Sequence, residues 1–245
     1  QEFNEPQIGL SRLEQGSLVH KILESFFNEI STSSILKNLT EDKLQDQINK
    51  HIGSAIKEIS QLNFKLIEKD RLKQIINEYI KLEKNRKNFQ VIKTESESKV
   101  DVNGLKFSTR IDRMDQMEDG TKLIIDYKTG QNVNLSQLIG DPLNQAQLPI
   151  YAITNPVDGI AFATVNSKDC QFKAITKNKD DLPITQQAIK RMPEWNEQVS
   201  EWKLELNSAS QKFQEGVAKV LPTSNACDYC DFDLLCRFEK SGNNR

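Results

Sequence analysis

The stretch Thr109-Arg-Ile-Asp-Arg-Met-Asp115, a turn at Glu118-Asp119-Gly120 and the run Leu123-Ile-Ile-Asp-Tyr-Lys-Thr-Gly130 constrain this chain more than any other part of it. An Asp-Gly pair between two runs of strand-forming residues is a strong hairpin signal, so the runs are expected to be adjacent antiparallel strands. Each places an acid where apolar neighbours predict burial: Asp112 after Ile111, and Asp126 after Ile124 and Ile125. A carboxylate is costly to bury unless it is paired or bound to a metal. Lys128 follows Asp126 by two residues, and strand side chains repeat every second residue, so both project from one face. Two acids and an amine converging on a hairpin suit a hard divalent cation held beside a group that manages a water.

A chain of 245 residues has room for one large domain or two small ones with a real core. Neither an internal repeat nor a low-complexity tract nor an interdomain linker divides it, so a single domain is expected over residues 1–245. The first residue is Gln1, with no methionine and no signal-peptide pattern, and a piece of a longer protein is expected. Nowhere does an apolar run approach the length of a membrane span. The net charge of −2 carries no global signature of nucleic-acid binding, so any grip on DNA must come from local Lys and Arg. Four cysteines, three of them within Cys227–Cys236, do not resemble a secreted disulfide framework. Clustered in this way they read as a metal site in a reducing compartment, which places the chain in the cytoplasm.

From Gly16-Ser17 to about Ile30, the residues Leu18, Val19, Ile22, Leu23, Phe26, Phe27 and Ile30 recur at helical spacing. His20 sits beside that stripe with Glu24 one turn on; alone, it reads as a core-edge histidine. Residues 40–88 read as a helical insertion of two helices, marked by Leu44, Ile48, Ile52, Ile56 and Ile59, then by Leu72, Ile75, Ile76, Tyr79 and Ile80. Their alternating charges suggest solvated faces, and His51 reads as a surface residue. From Val91 the period changes to two, and Asn103-Gly104 adds a second hairpin turn, which makes a three-stranded antiparallel meander. After a polar loop a helix contains Gln145, Gln147, Leu148, Ile150 and Tyr151. Gly159–Val165 reads as a buried strand with Cys170–Ile175 beside it. A long C-terminal helix opens at Pro193, carries Trp195, Val199, Trp202, Leu206, Phe213 and Val217 on one stripe, and stops at Pro222. The fold class is therefore α/β, with a mixed central sheet built on the meander and flanked by helices.

Each short motif is weak alone, but their order is specific: Gly16-x-x-x-His20, Arg110-Ile-Asp112, Asp126-Tyr-Lys128 and Gln147-x-x-x-Tyr151. Over residues 16–165 this resembles the RecB-like branch of the PD-(D/E)XK nucleases, which have a restriction-endonuclease-like core. The resemblance implies that His20, Asp112 and Asp126 ligate Mg²⁺ or Mn²⁺, with the Tyr127 carbonyl as a further oxygen. Lys128 corresponds to the family lysine, and Gln147 and Tyr151 to the motif that supports the site and approaches DNA. The chemistry agrees: phosphodiester hydrolysis needs a cation on the phosphoryl oxygens, and carboxylates suit Mg²⁺ and Mn²⁺. Asp115, three residues after Asp112, falls on the opposite strand face and is expected in a hairpin-end ion pair with Arg113 or Lys122. Arg110 shares the face of Asp112 and reads as its neighbour or as a phosphate contact.

Cys227-x-x-Cys230-x₅-Cys236 resembles the iron–sulfur staple of AddB-type nuclease domains, which implies a [4Fe-4S] cluster; no cysteine precedes Cys170, so its fourth ligand is expected to be missing from this piece or the cluster to be degenerate. Zinc on three cysteines is the alternative, and Cys170 itself reads as a buried free thiol. The resemblance thus implies a metal-dependent deoxyribonuclease of exonuclease type. It would act on single-stranded DNA ends within a helicase–nuclease of DNA repair and recombination, with helicase regions of the same chain or a partner subunit beside it. The alternative is a catalytically inactive nuclease-fold module kept for DNA binding or subunit assembly. A purely structural metal domain explains the cysteines but not the acids of the meander.

Overall fold

The computed structural model describes residues 9–59, 62–131, 133–139, 143, 145–219 and 230. Helix α1 (Arg12–Glu29) starts earlier than Gly16 because Ser11 and Glu14 form a reciprocal capping box, each side chain bonding the other's backbone N–H. Its buried residues are those of the expected stripe, from Leu18 to Phe27. The insertion holds the two helices expected of residues 40–88, and a further short helix precedes it. A short α2 (Ser33–Asn38), capped by the Thr32 hydroxyl, precedes α3 (Glu41–Ala55) and α4 (Leu62–Lys84). Six residues are too few to show helical periodicity, which is why α2 escaped the pattern.

The meander consists of β1 (Phe89–Val102), β2 (Leu105–Met117) and β3 (Lys122–Lys128). Helix α5 (Gln147–Thr154) lies on the crossover to β4 (Gly159–Val165), which runs parallel to β3, and β5 (Cys170–Thr176) returns antiparallel beside it. The sheet order is β1-β2-β3-β4-β5, the mixed α/β architecture predicted from the pattern, consistent with a restriction-endonuclease-like core. Short α6 (Gln186–Arg191) leads to α7 (Trp195–Gln214).

Both faces of the sheet are covered, and alternation along the central strands assigns each residue to a side. Leu123, Ile125, Tyr127, Ala161 and Ala163 join α1, α3 and α4 in one core. Ile124, Ile160 and Phe162 join α5 and α7 in the other. That two-sided burial explains the near-continuous apolar runs of β3 and β4. Where β4 begins, the strands leave no space for a side chain: a Cβ on Gly159 would come within 2.6 Å of Leu123 Cδ2 and 2.7 Å of Thr176 Cγ2.

Four expectations need correction. Helix α7 begins after Pro193, with Glu194 at the cap, and ends at Gln214, so Phe213 is exposed and Val217 lies beyond the helix; Trp195, Trp202 and Leu206 carry its contact. His51 is buried rather than superficial, because α3 packs on α1 and brings its Nδ1 to 2.9 Å from Ser25 Oγ and its ring against Phe26. The charges of the insertion are not all solvated either. Glu83 and Arg86 of the α4 end are fully buried with Arg113 and Asp115. Arg113 Nε meets Asp115 Oδ1 at 2.6 Å and its Nη1 meets Glu83 Oε1 at 3.1 Å, while Arg86 Nη1 lies 2.8 Å from both acids. So Asp115 does pair with Arg113, but deep in the core rather than at a hairpin end. Two arginines against two carboxylates balance the charge, Tyr79 donates to Glu83, and the Arg113 guanidinium stacks 3.8 Å from the Phe27 ring centroid. No periodicity foretells this, since the partners come from a helix end and a strand far apart in the chain.

Candidate active site

Strand register sets three acids in one row. From the Asn103-Gly104 turn the β1–β2 ladder runs back through Ser96↔Ile111 to Thr94↔Arg113, which leaves Glu95 opposite Asp112. The β2–β3 ladder pairs Arg113 with Ile125, so one step on Asp112 stands opposite Asp126. Like charges directly opposite across strands destabilise a sheet, so this row needs positive charge beside it.

Two cations and an imidazole flank it. Helix α1 contributes His20, whose Nδ1 lies 3.4 Å from Glu95 Oε1 and 3.5 Å from Asp112 Oδ2. Its Nε2 is 3.1 Å from the Tyr127 carbonyl oxygen, and a carbonyl only accepts, so Nε2 carries a hydrogen. The helix reaches the site because Gly16 lets its first turns approach β3; a Cβ there would stand 3.1 Å from Thr129 Oγ1. Lys128 Nζ is 2.7 Å from Asp126 Oδ2, and Arg110 Nε is 2.5 Å from Glu95 Oε2. Asp112 also accepts the Tyr127 N–H at 2.8 Å.

Burial, then the facing charge of Asp126, pushes the Asp112 carboxyl up to about 6, with His20 pulling the other way and Glu95 adding to the rise. Burial likewise raises Asp126 against the opposing pull of Lys128. A bound cation would relieve both strains, because it stabilises the ionised carboxylates.

Gln147, at the start of α5, donates to the Tyr151 hydroxyl at 3.0 Å, and that hydroxyl donates to the Arg110 carbonyl at 2.6 Å. The pair thereby fastens α5 to the strand that carries Asp112. Gln147 lines a cavity of about 660 Å³ with His20, Glu95, Asp112, Asp126 and Lys128, whereas Tyr151 is buried behind it. Arg12 and Arg110 also border this cavity.

The structure therefore gathers His20, Asp112, Asp126, Tyr127, Lys128 and Gln147 in one place, with Tyr151 supporting them. The donors fit a hard divalent cation: ligand atoms of His20, Glu95 and Asp112 all lie within 4.8 Å of one another. The Tyr127 carbonyl fixes the histidine ring through the Nε2 bond. Glu24 lines the same cavity, but the acids against the imidazole are Glu95 and Asp112. Arg110 does neighbour the row, through Glu95. Cys227 and Cys236 lie outside the described residues; Cys230 is a half-buried free thiol, as is Cys170, whose thiol donates to the Asn166 carbonyl and is pushed up by burial.

Glu95 was missed. Within Thr94-Glu-Ser-Glu-Ser it looks like one more polar residue of a solvated strand face. The signal that could have found it is register: counting back from the Asn103-Gly104 turn places Glu95, and not Glu97, opposite Asp112.

Two strand acids, a lysine and a helix histidine thus converge on one open cavity of a mixed sheet. The chain belongs to the PD-(D/E)XK nuclease superfamily, whose family profile matches residues 3–237. No curated protein matches the chain. A solved structure described as "Crystal structure of SSO0001" is similar at 14% identity, covering 95% of this chain and 89% of that one, with a TM-score of 0.35. A likeness that faint carries no argument about the site.

Proposed function

We propose that this chain is a divalent-metal-dependent deoxyribonuclease domain that hydrolyses phosphodiester bonds, of the RecB-like branch, acting on single-stranded DNA ends. The observation that supports it most is the convergence of Asp112, Asp126, His20 and Lys128 on one cavity that two arginines border. Asp112, Asp126 and His20 would hold the Mg²⁺ or Mn²⁺. The bound ion supplies positive charge where the scissile phosphate gathers negative charge. Lys128, held against Asp126, orients the attacking water or neutralises the phosphoryl oxygens. Gln147 and Tyr151 keep β2 in place beneath the substrate. Arg12 and Arg110 draw the DNA backbone over the row of acids.

The resemblance of the motifs carries the finer reading: exonuclease action within a cytoplasmic helicase–nuclease of repair and recombination, with an AddB-type [4Fe-4S] staple on Cys227, Cys230 and Cys236. Among the described residues no helix is long and apolar enough to cross a membrane. Iron and acid-labile sulfide analysis after anaerobic purification tests the staple, and zinc instead of iron would overturn it.

The central test is cleavage of end-labelled single-stranded DNA with Mn²⁺ by the wild type, Asp126→Ala and Lys128→Ala. Loss of about a hundredfold or more in both variants is expected, since each removes charge stabilisation from the reaction centre. Equal cleavage by all three would refute catalysis at this site. An inactive wild type that still binds DNA would favour the inactive-module reading.

A further inference from the structure

We propose that Glu95 is itself a ligand of a divalent cation, and that Glu95, Asp112 and His20 Nδ1 define a cation position on the β1 side of Asp112. The inference rests on the nuclease reading and adds to it a residue outside the β2–β3 hairpin.

Four observations carry it. Glu95 stands directly across the ladder from Asp112, a pairing that two carboxylates avoid unless a positive charge lies between them. Its side chain is only 8% exposed, although the strand around it is polar; Glu97, two residues on, points to solvent. The backbone at Glu95 has φ 40, a left-handed conformation rare for a residue with a Cβ, and the residue lines the cavity. Most telling is the imidazole. Because Nε2 spends its hydrogen on the Tyr127 carbonyl, it is Nδ1 that faces the two carboxylates, 3.4 and 3.5 Å away, and in the neutral ring that atom offers a lone pair. Three lone-pair donors facing one another form a cation site, and the bond from Nε2 orients the ligating histidine as metal-bound imidazoles are commonly oriented. The 3.4 and 3.5 Å separations are within about half an ångström of the roughly 3 Å between neighbouring ligands of one octahedral ion with bonds of about 2.1 Å.

The test is calorimetric titration of the whole chain with MnCl₂, with no DNA present. Glu95→Gln is expected to weaken Mn²⁺ binding about tenfold or more. Glu24→Gln removes the same charge from the same cavity and is expected to change binding less than about twofold. Glu95→Asp keeps the charge but withdraws the carboxylate by one methylene, and it too is expected to bind more weakly. Near-wild-type affinity in Glu95→Gln or in Glu95→Asp would overturn the proposal, as would equal weakening by Glu24→Gln. Should Glu95→Gln fail to fold, Glu95→Asp decides alone. The outcomes separate the two claims: binding abolished by Asp112→Asn but untouched at Glu95 removes Glu95 and leaves the nuclease reading standing. A wild type that binds no Mn²⁺ removes both.

Discussion

At the scale of single residues, the site is held by hydrogen bonds whose loss can be measured. The Tyr151 hydroxyl is the one atom joining the Gln147 amide to the Arg110 carbonyl. Tyr151→Phe keeps the ring and removes the link, and is expected to cost about 1–3 kcal/mol of stability, the penalty for unpaired buried polar groups. Cleavage should fall about tenfold through misplacement of Asp112, while Mn²⁺ binding persists; an unchanged cleavage rate would show that Tyr151 only fills space. Away from the site, Asp181 is buried beside Arg86 and Lys87, and burial pushes its carboxyl from the ordinary 3.8 up to about 6. An acid raised on folding is disfavoured in its charged form, so the native state gains from the proton and loses that gain as pH rises from about 4 through about 6. Asp181→Asn should therefore melt above the wild type at pH 7.5 and level with it near pH 4. Asp112, Asp126 and Lys128 were legible in the sequence because their spacing along one hairpin is itself the signal. Glu95 was not, because what matters about it is the residue across the ladder.

Among elements, β3 and β4 carry the greatest constraint. Gly159→Ala forces a methyl group against Leu123 and Thr176, and overpacking of this kind costs about 1–3 kcal/mol. Since β4 is the parallel neighbour of β3, the displacement is expected to reach Asp126 and Lys128 and to lower cleavage along with the melting temperature. A melting temperature equal to wild type would mean that the strands have slack not evident here. The period-two and period-3.6 patterns located α1, the meander, β4 and β5, because burial of one face writes itself into the residues of that face. Element ends were less legible. The Ser11–Glu14 box moves the start of α1 forward, and α7 stops eight residues before Pro222, which had been read as its terminator.

For the whole molecule, the acids of the site oppose folding until a cation joins them. Mn²⁺ at about a hundred times its dissociation constant should stabilise the chain by about 2.7 kcal/mol, seen as a higher melting temperature that EDTA reverses. Asp112→Ala should abolish the shift; a shift that survives it would place the ion elsewhere. Sequence by itself determined the fold class, the hairpin acids and lysine, and the histidine and glutamine helices that meet them, because each is written in local spacing. Only the tertiary structure decided the burial of Glu83, Arg86, Arg113 and Asp115 as one balanced cluster, and of His51 against α1. It alone brought Glu95 to Asp112 and turned Nδ1 of His20 toward both. These relations join residues far apart in the chain, and their energies depend on distances and desolvation that arise only when the elements pack.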